Sequence, residues 1–375
     1  MTRTQSFTFG LLALFCAEAE ATPRLAATYG QDCNLCHVNP TGGGMRSSYV
    51  TEFIGPAELP LKPLPAHDQS KWPKAKLNDN ISVGTDLRLL YLATNDNQTV
   101  AGKLDNTFFQ MQADFYVSFE PDPQFVLYLD RGTGTDYEVF ALARVLPAHG
   151  YLKGGRFVPD VGWRWDDHNH YTRSWLGLGY PGATQTGIEL GVHPGALSLT
   201  TGLYNGNDGG QFDDNRQKMA TARALYRWHV AGVNAALGGS TRWNVSRVGK
   251  ERLWGVQAEV GWRKFAYIGE VFGQRIANSP DVDTTLNSRE RTWSLVVTHE
   301  VDVRPIQGLD IYLAYDYRDP DLDLETGTRY QVSLGSRVYL RHFLEFEPIL
   351  RYERDEVAGV RTNDTRVELL LHGFY

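Results

Sequence analysis

The sequence predicts an all-β protein, an antiparallel transmembrane β-barrel of about 16 strands. Three observations predict this fold: long segments in which apolar and polar residues alternate, connections that are alternately short and long, and a final strand that ends on an aromatic residue. The composition fits, with 19 Tyr, 17 Phe and 9 Trp in 375 residues. No internal stretch approaches the roughly 18 consecutive apolar residues of a transmembrane helix.

The first 21 residues are typical of an export signal. Arg3 supplies the positive charge, Phe7 to Phe15 is a short apolar stretch, and cleavage is expected after Ala21. Cys16 then leaves with the signal, so the mature chain keeps only Cys33 and Cys36. The net charge of −7 argues against nucleic acid as a partner.

A short motif, Cys33-Asn34-Leu35-Cys36-His37, lies near the start of the expected mature chain. This C-x-x-C-H pattern is typical of covalent attachment of one haem c. Cys33 and Cys36 would bond the two vinyl groups, and His37 would be the proximal ligand of the iron. A thioredoxin-like disulfide would need a βαβ pattern, and a zinc site about four N or S ligands. Neither is visible in this sequence.

Residues 22–78 are predicted to form this small cytochrome c-like domain and a proline-rich tether, and residues 79–375 the barrel. A short helix is expected from Met45 to Phe53. The second axial ligand stays open between Met45 and His67, with a lumen-facing barrel side chain or an open position as further alternatives. If the domain threads back into the barrel, it plugs the lumen.

The clearest predicted strand is Phe109–Glu120, in which apolar residues occupy every second position. Similar alternation predicts strands at Ile81–Tyr91, Ile311–Tyr317, Val332–Leu340 and Leu344–Tyr352. Short connections are predicted at Glu120–Gln124, Pro147–Gly150, His193–Ala196, His229–Val233, Arg263–Lys264 and Leu340–Phe343. Long ones are predicted at Asn95–Asn106, Pro159–Gly182, Tyr204–Lys218, Arg275–Arg291, Arg318–Arg329 and Glu353–Thr365.

This alternation of short and long connections is typical of periplasmic turns and extracellular loops, so both termini are expected on the periplasmic side of a bacterial outer membrane. The last strand agrees, because Val367, Leu369, Leu371, Gly373 and Tyr375 form an apolar face that ends on an aromatic residue. Outer-membrane lipid is therefore an expected partner of the barrel surface.

Two further segments contain candidate functional residues. The stretch Arg156–Arg173 enters the third long loop by our strand count, and such loops often fold into the lumen, where charges form a constriction. His168 and His170 there permit a metal site, although a hydrogen-bonded polar loop is favoured. Four carboxylates (Asp319, Asp321, Asp323 and Glu325) would attract cations, but a solvated loop is again the favoured interpretation.

The layout resembles the fused outer-membrane monohaem cytochrome–porin family. The resemblance rests on Cys33, Cys36 and His37, on the run Asn39 to Met45, and on the porin-like Gly155–Pro159. It implies one covalent haem c and an association with iron oxidation or other extracellular electron transfer. The resemblance assigns neither a distal haem ligand nor a ferrous-iron site to any residue of this sequence.

The leading hypothesis is an electron conduit between an extracellular donor or acceptor, with ferrous iron a candidate donor, and a periplasmic carrier such as a soluble cytochrome. Ferrous iron oxidase activity is left open. One alternative is a diffusion porin for small solutes with an accessory haem domain. Another is a barrel that sheathes a separate multihaem cytochrome.

Overall fold

The computed structural model describes residues 23–63, 75–94, 106–132, 137–178, 183–207, 213, 215–246, 249–277, 291–357 and 359–375. Sixteen antiparallel strands pair in chain order, and β1 closes on β16 to complete a barrel. The prediction of an all-β barrel with about 16 strands is therefore confirmed. The expected signal, residues 1–21, and His67 lie outside the described residues.

The strands are β1 Ile81–Thr94, β2 Asn106–Asp122, β3 Phe125–Gly132, β4 Tyr137–Leu146, β5 Gly150–Phe157, β6 Gln185–Val192, β7 Leu197–Tyr204, β8 Met219–Val230, β9 Val233–Ser246, β10 Gly249–Trp262, β11 Phe265–Ala277, β12 Arg291–Ile306, β13 Leu309–Asp319, β14 Thr328–Arg341, β15 Leu344–Val357 and β16 Val360–Phe374. All five segments that alternation predicted fall within β1, β2, β13, β14 and β15.

The strands separate an apolar exterior from a polar lumen. On β2, Phe115 is 53% exposed, whereas the neighbouring Asp114 is only 4% exposed because it faces inward. The same contrast holds between Leu334 and Ser333 on β14, at 52% and 0%. Successive strand residues point to opposite faces, so the exposed face forms the apolar band that a bilayer requires.

The connections differ at the two ends of the barrel. Seven turns of two to four residues join β2–β3, β4–β5, β6–β7, β8–β9, β10–β11, β12–β13 and β14–β15 at one end, which we call the short-turn end. The longer connections lie at the other end, the loop end, together with two two-residue connections, β9–β10 and β15–β16. The six predicted short connections are all confirmed at the short-turn end.

The prediction of a long loop at Glu353–Thr365 is wrong. Strands β15 and β16 stay paired as far as Val357 and Val360. Most side chains there are polar, so no apolar alternation marks the strands. Backbone pairing continues nevertheless, and Glu356 pairs across the hairpin with Arg361 at 2.9 Å.

The N-terminal segment, residues 23–63, contains four short helices: α1 Pro23–Tyr29, α2 Cys33–Cys36, a π-helix Val50–Ile54 and α3 Gly55–Glu58. The helix expected at Met45–Phe53 therefore begins later. Met45 instead lies in an extended stretch, where its carbonyl accepts a hydrogen bond from the Val38 amide at 3.1 Å.

This segment covers the short-turn end from within. The Thr28 carbonyl accepts a hydrogen bond from Asn234 at 2.6 Å, and the Leu61 amide donates to the Tyr339 carbonyl at 3.0 Å. Gln307, in the β12–β13 turn, donates to the Ala57 carbonyl at 2.8 Å. The chain therefore fills the short-turn end of its own barrel.

Candidate functional site

The cysteine motif lies on α2, which is held at both ends. The Asp32 carboxylate accepts a hydrogen bond from the Cys33 amide at 2.8 Å and so caps the helix. The His37 amide donates to the Cys33 carbonyl at 3.0 Å and ends it. Residues three apart lie on one side of a helix, so this turn brings Cys33 and Cys36 to the same face.

The next residues fold back on the motif. His37 pairs with Arg46 in an isolated antiparallel bridge. The turn between them closes with a hydrogen bond from the Gly42 amide to the Asn39 carbonyl at 2.9 Å. Gly42, Gly43 and Gly44 all have positive φ, at 85°, 76° and 65°, a conformation that glycine adopts without steric cost. The glycine run is therefore what permits the reversal.

This pairing separates His37 from Met45. Opposite residues share a face and adjacent residues alternate between faces, so His37 and Arg46 point one way and Val38 and Met45 the other. His37 and Arg46 line the central cavity, whereas Met45 is buried among aromatic side chains that include Tyr128. This geometry does not favour Met45 as the distal ligand.

His372, on β16, is the other histidine among the described residues that line the cavity. Its Nε2 lies 3.1 Å from Asp86 and its Nδ1 3.1 Å from Glu345. Both ring nitrogens therefore lie next to carboxylate oxygens, which makes His372 a poor candidate for the second ligand. Among the described residues, His37 stays the predicted proximal ligand, and no second histidine is favoured as its partner.

The cavity lies between the N-terminal segment and the β5–β6 connection. Its volume is about 170 Å³, less than the roughly 300–1,000 Å³ of typical ligand sites, so a large cofactor would have to widen it. Cys33, Cys36 and His37 all line it, so the predicted attachment residues are brought together. The other lining residues include apolar groups and guanidinium groups: Leu25, Leu59, Trp163, Trp165, Arg46, Arg88, Arg164, Arg173 and Arg223.

The apolar and basic residues of this lining would suit a haem, and seven carboxylates line the cavity as well: Asp32, Asp86, Asp114, Asp130, Glu138, Asp166 and Glu345. Apolar and aromatic side chains suit a porphyrin ring, and arginines suit its carboxylate side chains. Burial and the nearby Asp32 raise the pKa of the Cys33 thiol to about 11. Redox-active thiols have lowered pKa values instead, so Cys33 does not resemble a thioredoxin-type nucleophile. No cluster of three metal-binding side chains occurs among the described residues.

The barrel wall holds the motif on both sides. Before it, Asp32 lies 3.2 Å from His193 and 3.4 Å from Arg227 and accepts a hydrogen bond from Ser198. Burial opposes ionisation of Asp32, but these partners outweigh burial and hold its pKa well below the usual range.

After the motif, Lys153 on β5 donates hydrogen bonds to Asn39 at 3.1 Å and Thr41 at 3.2 Å. Lys153 is fully buried and also pairs with Glu189 at 2.6 Å. These contacts could not be read from the sequence. The available signal was a lysine at an inward position of a glycine-rich strand.

The inward loop, residues 158–178, forms the opposite wall of the cavity, as predicted for the third long loop. Trp163 and Trp165 donate hydrogen bonds to Glu270 on β11 at 2.8 and 2.6 Å. Asp166 pairs with Arg24 of the N-terminal segment at 3.0 Å. The loop therefore joins the segment to the wall.

The two loop histidines do not form a metal site with each other. His170 is fully buried, with its Nδ1 3.1 Å from Asp316. Burial lowers the pKa of His170, but Asp316 and Glu300 outweigh this effect and raise it well above the usual value. Burial, with Arg173 nearby, lowers the pKa of His168. The hydrogen-bonded polar loop that was favoured describes this region better.

The acidic loop after β13 satisfies its own backbone. Asp319 accepts a hydrogen bond from the Asp321 amide at 3.1 Å, and Asp321 from the Asp323 amide at 3.3 Å. Such local bonds are typical of turns rich in aspartate. They agree with a loop that needs no metal to fold.

No helix in the described part of the chain is long and apolar enough to cross a membrane. No protein-family model matches the sequence, and no curated protein matches it significantly. Solved structures with a similar fold include the outer-membrane expressed OmpT of Vibrio cholerae, at 12% identity and a TM-score of 0.55, covering 80% of this chain and 99% of that one. Another is an anion-selective porin from Comamonas acidovorans, at 10% identity and a TM-score of 0.54, covering 79% and 99%. At such low identities the likeness establishes a porin-type barrel fold.

Proposed function

We propose that the protein is an outer-membrane electron conduit with one haem c bonded to Cys33 and Cys36. The observation that carries the proposal is that both thiols and His37 line one cavity inside a closed barrel. The apolar band of such a barrel is about 25 Å tall, so a redox centre on one surface serves the other side poorly. A redox centre inside the lumen would divide this distance into two shorter electron-transfer steps.

The short-turn end is proposed to face the periplasm, since short periplasmic turns and longer outer loops are the rule for bacterial barrels. Both ends of the described chain lie there. Pro23 begins the segment that covers this end, and Tyr375 pairs with Thr85 near the start of β1 through two 2.8 Å backbone hydrogen bonds. The motif then lies on the side from which haem is attached.

The chain's own residues would hold and enclose the cofactor. His37 would coordinate the iron from one face, and Arg46, Arg88 or Arg164 would pair with the haem carboxylates. Trp163 and Trp165 would exclude water from the ring. The haem supplies a one-electron acceptor and donor whose potential depends on ligation, charge and burial.

The external partner is proposed to be a metal ion or another redox partner, with ferrous iron a candidate donor. The acidic loop containing Asp321, Asp323 and Glu325 lies at the loop end and would attract cations. The sheath alternative is less well supported, because the N-terminal segment already occupies the short-turn end of the lumen.

A diffusion porin is the second candidate, and the fold comparisons favour it. One of the similar structures is an anion-selective porin, and a barrel of this size can enclose a channel. Against free diffusion, the N-terminal segment and the inward loop meet across the lumen through Arg24 and Asp166.

Liposomes test the two candidates together. The full-length haem-loaded protein is inserted in vesicles that enclose ferricyanide, reduced soluble cytochrome c is added outside, and a potassium ionophore balances charge. A conduit reduces the enclosed ferricyanide without releasing it, and a Cys33→Ser, Cys36→Ser variant does not. Release of ferricyanide by both proteins would identify a diffusion porin and contradict the conduit.

A further inference from the structure

The inward loop leaves one tryptophan ring partly uncovered inside the barrel. Trp175 directly follows the short helix Tyr171–Ser174 and is 46% exposed. The other exposed tryptophans among the described residues lie on strands β8, β9 and β10, where aromatic rings face lipid. The residue after Trp175 is buried, since Leu176 packs with Phe272 and Val296 of the inner wall. Trp175 is therefore a lumenal ring whose exposed part faces the interior of the barrel.

Two arginines lie beside this ring at the loop end of the lumen. Arg318 on β13 and Arg329 on β14 are directly opposite each other. Arg318 shares the inward face with the fully buried Asp316, because residues two apart on a strand point the same way. The guanidinium carbon of Arg318 lies 3.1 Å from the centre of the Trp175 ring, and that of Arg329 lies 5.7 Å from it. We call Trp175, Arg318 and Arg329 the loop-end site.

The two guanidinium groups differ in their partners. Arg329 pairs with Glu353 at 3.4 Å and also with Asp355. Arg318 makes no ion pair with a carboxylate of the described residues, and its Nε and Nη1 atoms are buried without a hydrogen bond. Its neighbours across the strands are Arg329 on one side and the apolar Val296 on the other. Arg318 is thus a cation whose charge is left without a nearby counter-ion.

This arrangement costs stability without an evident structural return. Like charges that lie directly opposite on neighbouring strands repel each other, and buried polar atoms without a hydrogen bond are unfavourable. The contact between Arg318 and the Trp175 ring recovers only part of this cost. The nearby Glu353 does not neutralise Arg318, because it pairs with Arg329 and, at 3.0 Å, with Arg366. Local costs of this kind are expected where a protein binds a ligand.

We propose that the loop-end site binds a small planar aromatic anion, a molecule with a carboxylate, sulfonate or phosphate group on an aromatic ring. The anionic group would supply the missing partner of Arg318, because a guanidinium group forms paired hydrogen bonds with such groups. The aromatic ring would stack on the exposed part of Trp175. Two adjacent guanidinium groups repel a cationic ligand. The inference goes beyond the proposed function, since it requires neither haem nor electron transfer.

Equilibrium dialysis tests the proposal, with the full-length protein in nanodiscs of phosphatidylcholine and with anthraquinone-2-sulfonate as the probe. The parent protein is expected to bind the probe above the level of empty nanodiscs. Arg318→Gln should raise the dissociation constant by about tenfold or more, and Trp175→Ala should raise it by roughly two- to tenfold.

Matched controls remove a similar side chain elsewhere. Trp243 is also 46% exposed but lies on β9, and Arg361 is an exposed arginine of the β15–β16 hairpin. Trp243→Ala and Arg361→Gln should leave the dissociation constant unchanged. The shift in gel mobility on heating confirms that the barrel of every variant is folded.

Inorganic sulfate separates the contribution of the charge from that of the ring. Sulfate should compete only weakly, because it cannot stack on Trp175. Full competition by sulfate at equal concentration, together with an unchanged Trp175→Ala variant, would identify a simple anion site and overturn the proposal. Binding that persists in both site variants would indicate partition into the bilayer and would also overturn it, as would a parent protein that does not bind the probe. Haem content is measured on every sample, so haem-free protein that binds the probe counts only against the conduit, and haem-loaded protein that does not bind it counts only against the loop-end site.

Discussion

Lys153 offers the sharpest test of how the barrel wall positions the haem motif. Its ammonium group is fully buried and donates to Asn39 and Thr41, which follow His37 by two and four residues. Lys153→Met keeps the length of the side chain and removes both bonds. Glu189 loses its cation but still accepts hydrogen bonds from Tyr151 and Tyr204, both at 2.9 Å.

The expected effect is large. A hydrogen bond that involves a charged group contributes about 1.5–3 kcal/mol, so the two bonds contribute on the order of 3–6 kcal/mol to docking of the segment. Since 1.4 kcal/mol corresponds to a factor of ten, the undocked population should rise by about 10²–10⁴. Hydrogen exchange of the amides of residues 37–46 reports that population, because exchange there requires local opening.

Lys218→Met is the matched control. Lys218 pairs with Asp213 in a loop, and its side chain is 52% exposed, so its removal should cost no more than about 1 kcal/mol and leave exchange at 37–46 unchanged. The measurement uses the full-length haem-loaded protein in micelles. Equal protection of residues 37–46 in both variants would refute the assignment of Lys153 as an anchor.

Two further predictions concern the glycine run and the inward loop. Gly44→Ala should loosen the segment more than Gly43→Ala, as measured by exchange at the Met45 amide. Both glycines have positive φ, but only at Gly44 would an added Cβ collide with the Tyr128 hydroxyl, which accepts a hydrogen bond from the Met45 amide. Equal effects of the two substitutions would contradict this explanation. His170 should stabilise the inward loop in its charged form, because its pKa is raised above 6.5. That stabilisation is complete below the unfolded-state pKa and disappears as pH rises through the folded-state pKa. Near neutral pH and below, the loop of the His170→Gln variant should therefore be cleaved by a protease faster than that of the parent protein, and this difference should vanish at high pH. A difference that grows with pH would contradict the ion pair.

The barrel could be predicted because the requirement that lipid places on each strand is visible within the sequence of that strand. Each strand must present apolar side chains to lipid at every second residue, and Phe109–Glu120 satisfies this requirement within its own sequence. The hairpin at Val357 and Val360 was missed for the converse reason. Strands that extend beyond the lipid need no apolar face, so pairing there leaves little trace in the sequence.

Only the part of the candidate site that is formed by residues close together in sequence could be predicted. Cys33, Cys36 and His37 are adjacent in sequence, and their spacing alone suggests their chemistry. The contacts of Asp32 with His193 and of Lys153 with Asn39 join residues more than a hundred positions apart, so no spacing rule reveals them. The orientation of Met45 depends on its register opposite Val38, which was fixed only by the fold.

The most direct test of the central claim is haem staining of the protein on a denaturing gel, with reduced and oxidised spectra, after purification from outer membranes of a host that matures c-type cytochromes. We predict haem that survives denaturation with a c-type spectrum, and its loss in the Cys33→Ser, Cys36→Ser variant at equal barrel yield. A properly folded barrel without covalent haem in such a host would contradict the account and leave solute diffusion as the better explanation of the fold.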